Sequence, residues 1–287
     1  MGDISWIPAI EGFSDYRPVF SPDGGSLLYE HSGDGKTVFF QYELGAERPE
    51  PFIQSPPFDL PAQTRADWAA DGTVSFTGDE SGNNGYIWLC DAVGQNVTRL
   101  PLTYGMCYSP WYAGSQWMVV MNTNGAQPYA CVTDRSGATV LPRRSPIGLF
   151  SGMPSISQQN PERLAIPASP ALVPYNQDNN QIYVSLDPAR AFIIDDKPEQ
   201  GRAPWWSPDG RYLAFESNRS GIGYALYVAA IGKDGTATRI VQLTDPKEVF
   251  NAQHAKFSPD GKTICFCAQR TKGVRATSVG MMPFTPF

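Results

Sequence analysis

The chain has 287 residues with a net charge of −6, and 26 of them are prolines and 27 glycines. This length accommodates two ordinary domains or one large all-β domain, and the acidic balance argues against nucleic acid as the main partner, since phosphate binding needs a basic face. The prolines and glycines are spread along the chain, as turns between many short strands require. No apolar run reaches 18 residues, so the sequence predicts no membrane span.

The cysteines and the N-terminus say little about the compartment. The five cysteines form no CxxC pair, and we expect them to be small buried hydrophobic residues rather than a disulfide framework. No signal-peptide pattern is visible, and the sequence leaves the compartment open: periplasmic or secreted if Met1-Gly2 is an engineered start, and otherwise cytoplasmic. We expect a soluble monomer.

Taken in chain order, the sequence repeats one turn motif. Ser-Pro-Asp-Gly occurs at 21–24, 207–210 and 258–261, and weaker copies lie at 67–72, 110–114 and 154–157. Proline sets φ at the second turn position and glycine takes the positive φ that a tight turn needs. With one anchor residue for each copy, at 21, 69, 112, 157, 207 and 258, the spacings are 48, 43, 45, 50 and 51 residues. Each unit therefore has the length of a four-stranded blade.

Each unit shows the same succession of runs rich in β-branched and aromatic residues. Strand a ends at Phe20, Trp68, Trp111, Ile156, Trp206 and Phe257. Strand b is predicted at 27–30, 74–77, 117–121, 164–167, 212–216 and 264–268. Strand c is predicted at 38–42, 86–90, 129–133, 182–186, 226–231 and 276–280. Strand d is predicted at 52–53, 97–100, 139–141, 192–194 and 239–243.

The sixth unit lacks its strand d, and residues 3–10 supply a strand before the first unit. The N-terminal strand should therefore complete the last blade and close the ring, which hides the strand edges that an open array exposes. The sequence predicts an all-β protein, a single six-bladed β-propeller domain over residues 1–287. The alternative, a two-sheet sandwich, predicts no register of 43–51 residues.

The motifs at 17–24, 204–215 and 256–262, with Ile240–Thr244 as an end-of-unit signature, resemble the TolB-type, WD-repeat-like units of TolB and of the propeller domains of prolyl oligopeptidase relatives. The resemblance implies the propeller fold. It implies no single function, because the family includes partner-binding, regulatory, periplasmic and enzymatic members. Nothing in the chain resembles the hydrolase domain of the peptidase relatives.

Antiparallel pairing puts the d–a connections and the b–c loops on one face of the disc and the Ser-Pro-Asp-Gly turns on the other. The position four residues before each anchor should line the mouth of the central funnel, and it holds Arg17, Arg65, Tyr108, Met153, Ala203 and His254. The predicted ligand-binding residues are Arg17, Arg65, Tyr108, Arg202, His254, Glu30, Glu216 and Tyr175. The alternative is that Arg17 and Arg65 only hold the ring, by pairing with Glu30, Asp67 or Glu216 across neighbouring blades.

Specific chemistries find little support. The two histidines, His31 and His254, lie in units that become neighbours on closure, but a third metal ligand is not evident, so we predict no metal and no cofactor. No GxSxG motif is present. A general acid or base would be His254 beside Tyr16 or Arg17. The long loop at 167–180 carries apolar residues and is expected to form a lid or a contact surface; the alternative is that it packs against its own blade.

Two functions remain open from the sequence. The leading hypothesis is a non-catalytic scaffold that holds a protein partner or a small ligand at the funnel face. The alternative is an enzyme of lyase or cyclase type, with His254, Tyr16, Arg17 and Arg65 as acid–base and anion-holding groups in the funnel.

Overall fold

The structure, a computed structural model, is an all-β β-propeller. It describes residues 3–53, 62–79, 85–101, 111–113, 117–122, 129–142, 150–160, 162–169, 180–187, 189–194 and 201–287. Within these ranges no helix has the length and apolar character needed to cross a membrane. The predicted sites Tyr108 and Tyr175, residues 170–179 of the 167–180 loop, and Cys107 lie outside them.

Neighbouring strands pair antiparallel except at one bridge in the first sheet, which has eight strands. It contains β2 (Ser14–Phe20), β3 (Ser26–Gly33), β4 (Lys36–Glu43), β5 (Glu50–Pro51), β6 (Ala62–Trp68), β7 (Val74–Asp79), β8 (Gly85–Cys90) and β9 (Thr98–Arg99). The next sheet contains β10 (Trp111–Ala113), β11 (Trp117–Asn122), β12 (Tyr129–Asp134) and β13 (Thr139–Leu141).

The remaining sheets continue the same plan. One contains β14 (Phe150–Ser151), β15 (Ser155–Ile156), β16 (Leu164–Ser169), β17 (Gln181–Asp187) and β18 (Arg190–Ile193). Another contains β19 (Gly201–Trp206), β20 (Tyr212–Ser217), β21 (Ala225–Ile231) and β22 (Ala237–Gln242). The last contains β23 (Phe250–Phe257), β24 (Thr263–Gln269), β25 (Ser278–Pro283) and β1 (Ser5–Trp6).

The number of sheets corrects the prediction of six blades, because the described residues form five sheets. The physical reason is a parallel bridge between β4 and β6, which pairs Thr37 with Ala62 and joins the first two predicted units at their edges. Strands β2, β6, β10, β15, β19 and β23 contact one another in this order, and β23 contacts β2. These strands surround the axis of the disc.

The N-terminal strand closes the ring as predicted. Strand β1 pairs antiparallel with β25, with Ser5 opposite Met281 and Trp6 opposite Gly280. The strand at the end of the chain begins later than the predicted 276–280 because Thr277 serves a different contact. Its hydroxyl donates to the carbonyl of Asp15 over 2.8 Å, and its carbonyl accepts the Asp15 N–H. This contact ties the last sheet to the first.

The serine and aspartate of the repeated turn have structural roles. The Ser207 hydroxyl donates to Asp209 over 2.6 Å and accepts the N–H of Tyr212, while the N–H of Gly210 reaches the Ser207 carbonyl. The other two Ser-Pro-Asp-Gly turns make the same bonds. Glycine is required at the fourth position because φ there is between 68° and 74°. These hydrogen bonds therefore fix the turns that join the strands of each sheet.

The cysteine prediction is confirmed for the four that the structure describes. The thiols of Cys90, Cys131, Cys265 and Cys267 are free and buried. Burial raises the pKa of each of them to about 12, so these thiols stay protonated and unreactive at neutral pH.

Candidate functional site in the central channel

A bulge interrupts the inner strands at the position that sequence analysis placed at the funnel mouth. Pairing with the neighbouring strand shifts register just after Tyr16, Thr64, Arg202 and Gln253. The next residue has a positive φ at each break, and Met153, between β14 and β15, has one too. These residues are Arg17 (47°), Arg65 (57°), Met153 (42°), Ala203 (45°) and His254 (56°). A bulge of this kind turns a side chain away from the sheet face.

The five bulge residues line one cavity, which we call the channel cavity. Its lining is completed by Ala66, Pro154, Pro204, Trp205, Ala255 and Lys256. The cavity offers about 30 Å³ to the centres of water-sized molecules. Since one water needs roughly 10–15 Å³ by this measure, the cavity has room for about two waters. Only a small group can enter it.

Two buried glutamates position the bulges. Glu30 of β3 accepts from the Arg17 guanidinium (Nη1 to Oε2, 2.6 Å) and from the backbone N–H of Arg65 (2.6 Å). Glu216 of β20 does the same in another sheet, with Nε of Arg202 at 2.7 Å and the backbone N–H of His254 at 2.7 Å. Each carboxylate therefore accepts one hydrogen bond from an arginine side chain on the adjoining inner strand. It accepts a second from the backbone N–H of the bulge residue on the following inner strand.

This geometry bears on the alternative interpretation, in which Arg17 and Arg65 only hold the ring together through ion pairs. Arg17 pairs with Glu30, but within one sheet rather than across neighbouring blades. Arg65 reaches the same carboxylate through its backbone, and its guanidinium donates to the hydroxyl of Thr64 over 3.1 Å. Arg17, with 26% of its side chain exposed, thus takes part in an ion pair and also lines the cavity.

His254 is a neutral imidazole in a cationic setting. Burial lowers the pKa of His254 well below its usual value, and the charges of Arg17, Arg202, Lys256 and Arg65 lower it further. The side chain lines the channel cavity, so the uncharged ring can donate or accept a hydrogen bond there at neutral pH. A titratable group perturbed in this way inside a cavity is typical of a functional site.

A buried pair of charged residues, Asp67 and Lys256, lies two residues beyond two of the bulges. The Lys256 Nζ donates to the carbonyl of Ala66 over 3.3 Å and lies 4.2 Å from the centre of the Trp205 ring. Asp67 is 1% exposed; one carboxylate oxygen accepts the Trp68 N–H, and the other has no partner among the described residues.

The two charges of this pair influence each other. Burial raises the pKa of Asp67 well above its usual value, against the opposing charge of Lys256. Burial also lowers the pKa of Lys256. Sequence analysis did not select either residue as a site. The sequence did contain one signal for these two residues. They are charged at the repeat position that is apolar in two other repeats, where it is Val19 and Trp205.

Other predicted residues have different positions. Arg202 pairs with Glu216, and its guanidinium lies 3.9 Å from the centre of the Tyr224 ring. Tyr16 precedes the Arg17 bulge on β2 but is not among the cavity-lining residues. The acid–base role predicted for it therefore gains no geometric support.

His31 does not line the channel cavity with His254. His31 is 4% exposed and shares a 2.7 Å hydrogen bond with Asp15, between the rings of Phe13 and Phe40 at 4.4 and 4.2 Å. It contributes nothing to the channel cavity. Within the described ranges, no group of three or more His, Cys, Asp or Glu side chains is arranged to hold a metal ion.

The channel has a second cavity on the side of the Ser-Pro-Asp-Gly turns. It offers about 100 Å³ to water-sized molecules, and its rim includes Pro22, Pro208 and Pro259. Trp205 lines both this cavity and the channel cavity. The indole is therefore a shared wall between the two ends of the channel.

Comparison with known proteins identifies the fold. No family model and no curated protein matches the chain. Among solved structures, a protein assigned as TolB from Agrobacterium tumefaciens is similar at 16% identity and a TM-score of 0.68, covering 95% of this chain and 91% of that protein. TolB from Acinetobacter baumannii gives 16% identity and a TM-score of 0.59, covering 84% of this chain and 57% of that one.

An oligogalacturonate lyase from Vibrio parahaemolyticus is also similar, at 11% identity and a TM-score of 0.58, with 98% of both chains covered. At these identities a likeness shows the fold alone. The TolB resemblance is thus supported as a fold, whereas the WD-repeat-like description of the units gains no support. The structural neighbours are TolB-like β-propellers, and this chain is an all-β β-propeller similar to them.

Proposed function

We propose that this protein is a binding scaffold that holds a small ligand, or the end of a protein partner, in the channel cavity. The observation that carries the proposal is the set of bulges at Arg17, Arg65, Met153, Ala203 and His254, all of which line one cavity. A left-handed conformation costs a non-glycine residue about 1–2 kcal/mol. Strain repeated at equivalent positions is typical of sites where side chains must be aimed at a ligand.

The proposal includes the finer architecture. The ring of inner strands β2, β6, β10, β15, β19 and β23 supports a reading in which the eight-stranded sheet is two blades of a six-unit ring, joined by the single bridge at Thr37 and Ala62. We further propose that residues 1–287 act as one propeller domain and that the protein is a monomer. Light scattering of the purified protein would test the last point.

A second function, an enzyme of lyase or cyclase type, is favoured by one observation. His254 is a partly buried, neutral imidazole that lines a cavity, so it could act as a general base or acid on a group bound there. A neighbour in the comparison is itself a lyase, acting on oligogalacturonate, but the shared feature is the fold. Turnover of a bound compound would distinguish the enzyme from the scaffold.

The experiment is a thermal-shift screen with a library of acidic, basic and neutral small molecules and peptides. A ligand at about 100 times its Kd adds roughly 2.7 kcal/mol, which moves the Tm by several degrees in a chain of this size. The proposal expects hits that disappear in His254→Asn and persist in Arg48→Ala, because Arg48 is exposed and pairs only with Glu50. A screen in which no hit depends on a channel residue would contradict it.

A further inference from the structure

We infer that the group held in the channel cavity is a single carboxylate, so that the ligand is an acid whose terminal carboxylate enters between Arg17, Arg65 and Lys256. This inference rests on the proposed function, because it names the class of ligand for the same cavity. The argument uses charge, hydrogen-bond donors and space.

The charge around the cavity is cationic. Four positive side chains act on the His254 ring, namely Arg17, Arg65, Arg202 and Lys256. The carboxylates that face them, Glu30 and Glu216, already accept two short hydrogen bonds each. Asp67, the third carboxylate, is buried beside Lys256 and has its pKa raised. Arg17, Arg65 and Lys256 line the cavity, whereas none of the three carboxylates does, so the polar groups that a ligand meets favour an anion.

Donors are available in the right place. A guanidinium has five N–H donors and an ammonium has three. The hydrogen bond from Arg17 to Glu30 uses one donor, and the bond from Lys256 to the carbonyl of Ala66 uses one. Both side chains line the cavity, so further N–H groups of the two residues can bind an entering oxygen atom. Charge-assisted bonds of this kind are about twice as strong as neutral ones.

The space selects the kind of anion. Room for about two waters matches the two oxygens of a carboxylate and is too small for a whole sugar or amino acid. The remainder of the acid must therefore lie outside the cavity. The apolar part of the lining, including Met153, Ala203 and Pro204, can contact the carbon chain that carries the carboxylate.

His254 gives the inference an independent readout. The groups around its ring are Arg17 of β2, Arg65 of β6, Arg202 of β19 and Lys256 of β23, while its backbone N–H binds Glu216 of β20. An anion among these cations offsets their effect, so the pKa of His254 rises when the anion binds. By linkage, binding takes up a proton and becomes tighter as the pH falls, by at most about tenfold for each pH unit.

The test is isothermal titration calorimetry between pH 5 and 7.5, in buffers of different ionisation enthalpy. Three probe sets distinguish the source of the carboxylate: acetate alone, a tripeptide with a free C-terminus against its C-terminal amide, and glucuronate against glucose. The inference expects at least one acid to bind, its neutral counterpart to bind at least about tenfold more weakly, and protons to be taken up. The acid that binds most tightly identifies the ligand class.

Variants assign the site. Lys256→Met, which keeps the unbranched shape of the side chain but removes the charged end, should weaken the acid about ten- to a hundredfold, as loss of a charged hydrogen bond implies. Arg48→Ala should change nothing, and an unchanged Tm would show that Lys256→Met is folded. If Lys256→Met misfolds, loss of proton uptake in His254→Asn is the second readout.

Failure of the inference differs from failure of the proposed function. Neutral probes that bind as tightly as their acids, with hits lost in His254→Asn, would overturn the carboxylate and leave the binding scaffold in place. Acids that bind equally well to Lys256→Met, without proton uptake, would overturn it also. Absence of any channel-dependent ligand, acidic or neutral, would overturn both.

Discussion

Replacing Glu216 with glutamine tests the idea that buried carboxylates hold the bulges in place. Glu216 is fully buried, and its two oxygens accept from Arg202 and from the backbone of His254. Glutamine has the same size but no charge, and its amide nitrogen would face one of these two donors. The Arg202 guanidinium, with 16% of its side chain exposed, would then lose its anionic partner.

The magnitude follows from the burial of the pair. Breaking a buried ion pair by removing one charge costs about 3–5 kcal/mol. The amide oxygen keeps one hydrogen bond, and such a bond contributes about 1 kcal/mol. We therefore expect Glu216→Gln to lower the free energy of unfolding by about 2–4 kcal/mol.

The assay is urea denaturation followed by tryptophan fluorescence, with the m value compared between variants. Glu50→Gln is the matched control: its exposed pair with Arg48 contributes less than about 1 kcal/mol. Arg202→Met should cost less in the Glu216→Gln background than in the wild type, because the pair is already broken. A loss below about 1 kcal/mol for Glu216→Gln, with an unchanged m value, would refute the reasoning.

Three further predictions follow from the bulges and turns. Ala203→Gly should leave the free energy of unfolding unchanged or raise it by up to about 1 kcal/mol, because φ at Ala203 is 45°. The control Ala214→Gly, in extended β20, should lower it by about 1 kcal/mol or more. Equal losses for the two variants in urea denaturation would contradict the bulge assignment. Ser207→Ala should lower the free energy of unfolding by about 1–2 kcal/mol, because the buried Ser207 hydroxyl makes two hydrogen bonds in the turn. The control Ser220→Ala, at an exposed position, should lower it by less than about 0.5 kcal/mol. Equal Tm values for the two variants would count against the role of Ser207. The folded protein lowers the pKa of His254, so the unfolded chain takes up the proton first and stability is lost as the pH falls below about 6.5. Asparagine tolerates a positive φ, so His254→Asn should flatten this decline in Tm between pH 6.5 and 5. An identical slope would disprove a neutral imidazole in the folded protein.

The strands were predictable because the turns fix their register. Five of the predicted strand a ends coincide with the observed ends of β2, β6, β15, β19 and β23. The number of sheets could not be predicted, because the single bridge between Thr37 and Ala62 depends on how closely strands β4 and β6 approach each other in space. The strand near Phe52 was misplaced by one or two residues for a related reason. The Phe52 N–H still reaches the carbonyl of Phe39, so the boundary depends on where regular pairing is taken to end.

The site was predictable in position but not in chemistry. The interval of four residues before each anchor selected the bulge residues, although nothing in the sequence signals a positive φ at arginine or alanine. The roles of Glu30 and Glu216 depend on backbone N–H groups 35 and 38 residues further along the chain. Composition cannot reveal such partners. The buried charges of Asp67 and Lys256 were missed because they meet across 189 positions, through closure of the ring.

The shared wall at Trp205 determines how the two faces of the disc can be used. Within the part of the chain that the structure describes, a molecule that enters beside Arg17 and His254 meets the same tryptophan as a molecule that enters beside the three prolines. The two ends of the axis are then separate compartments that can be occupied at the same time. A ligand that moved the Lys256 ammonium, which lies 4.2 Å from the centre of the Trp205 ring, would also disturb a residue that lines the cavity at the other end. Communication between the faces would therefore pass through one side chain rather than through solvent.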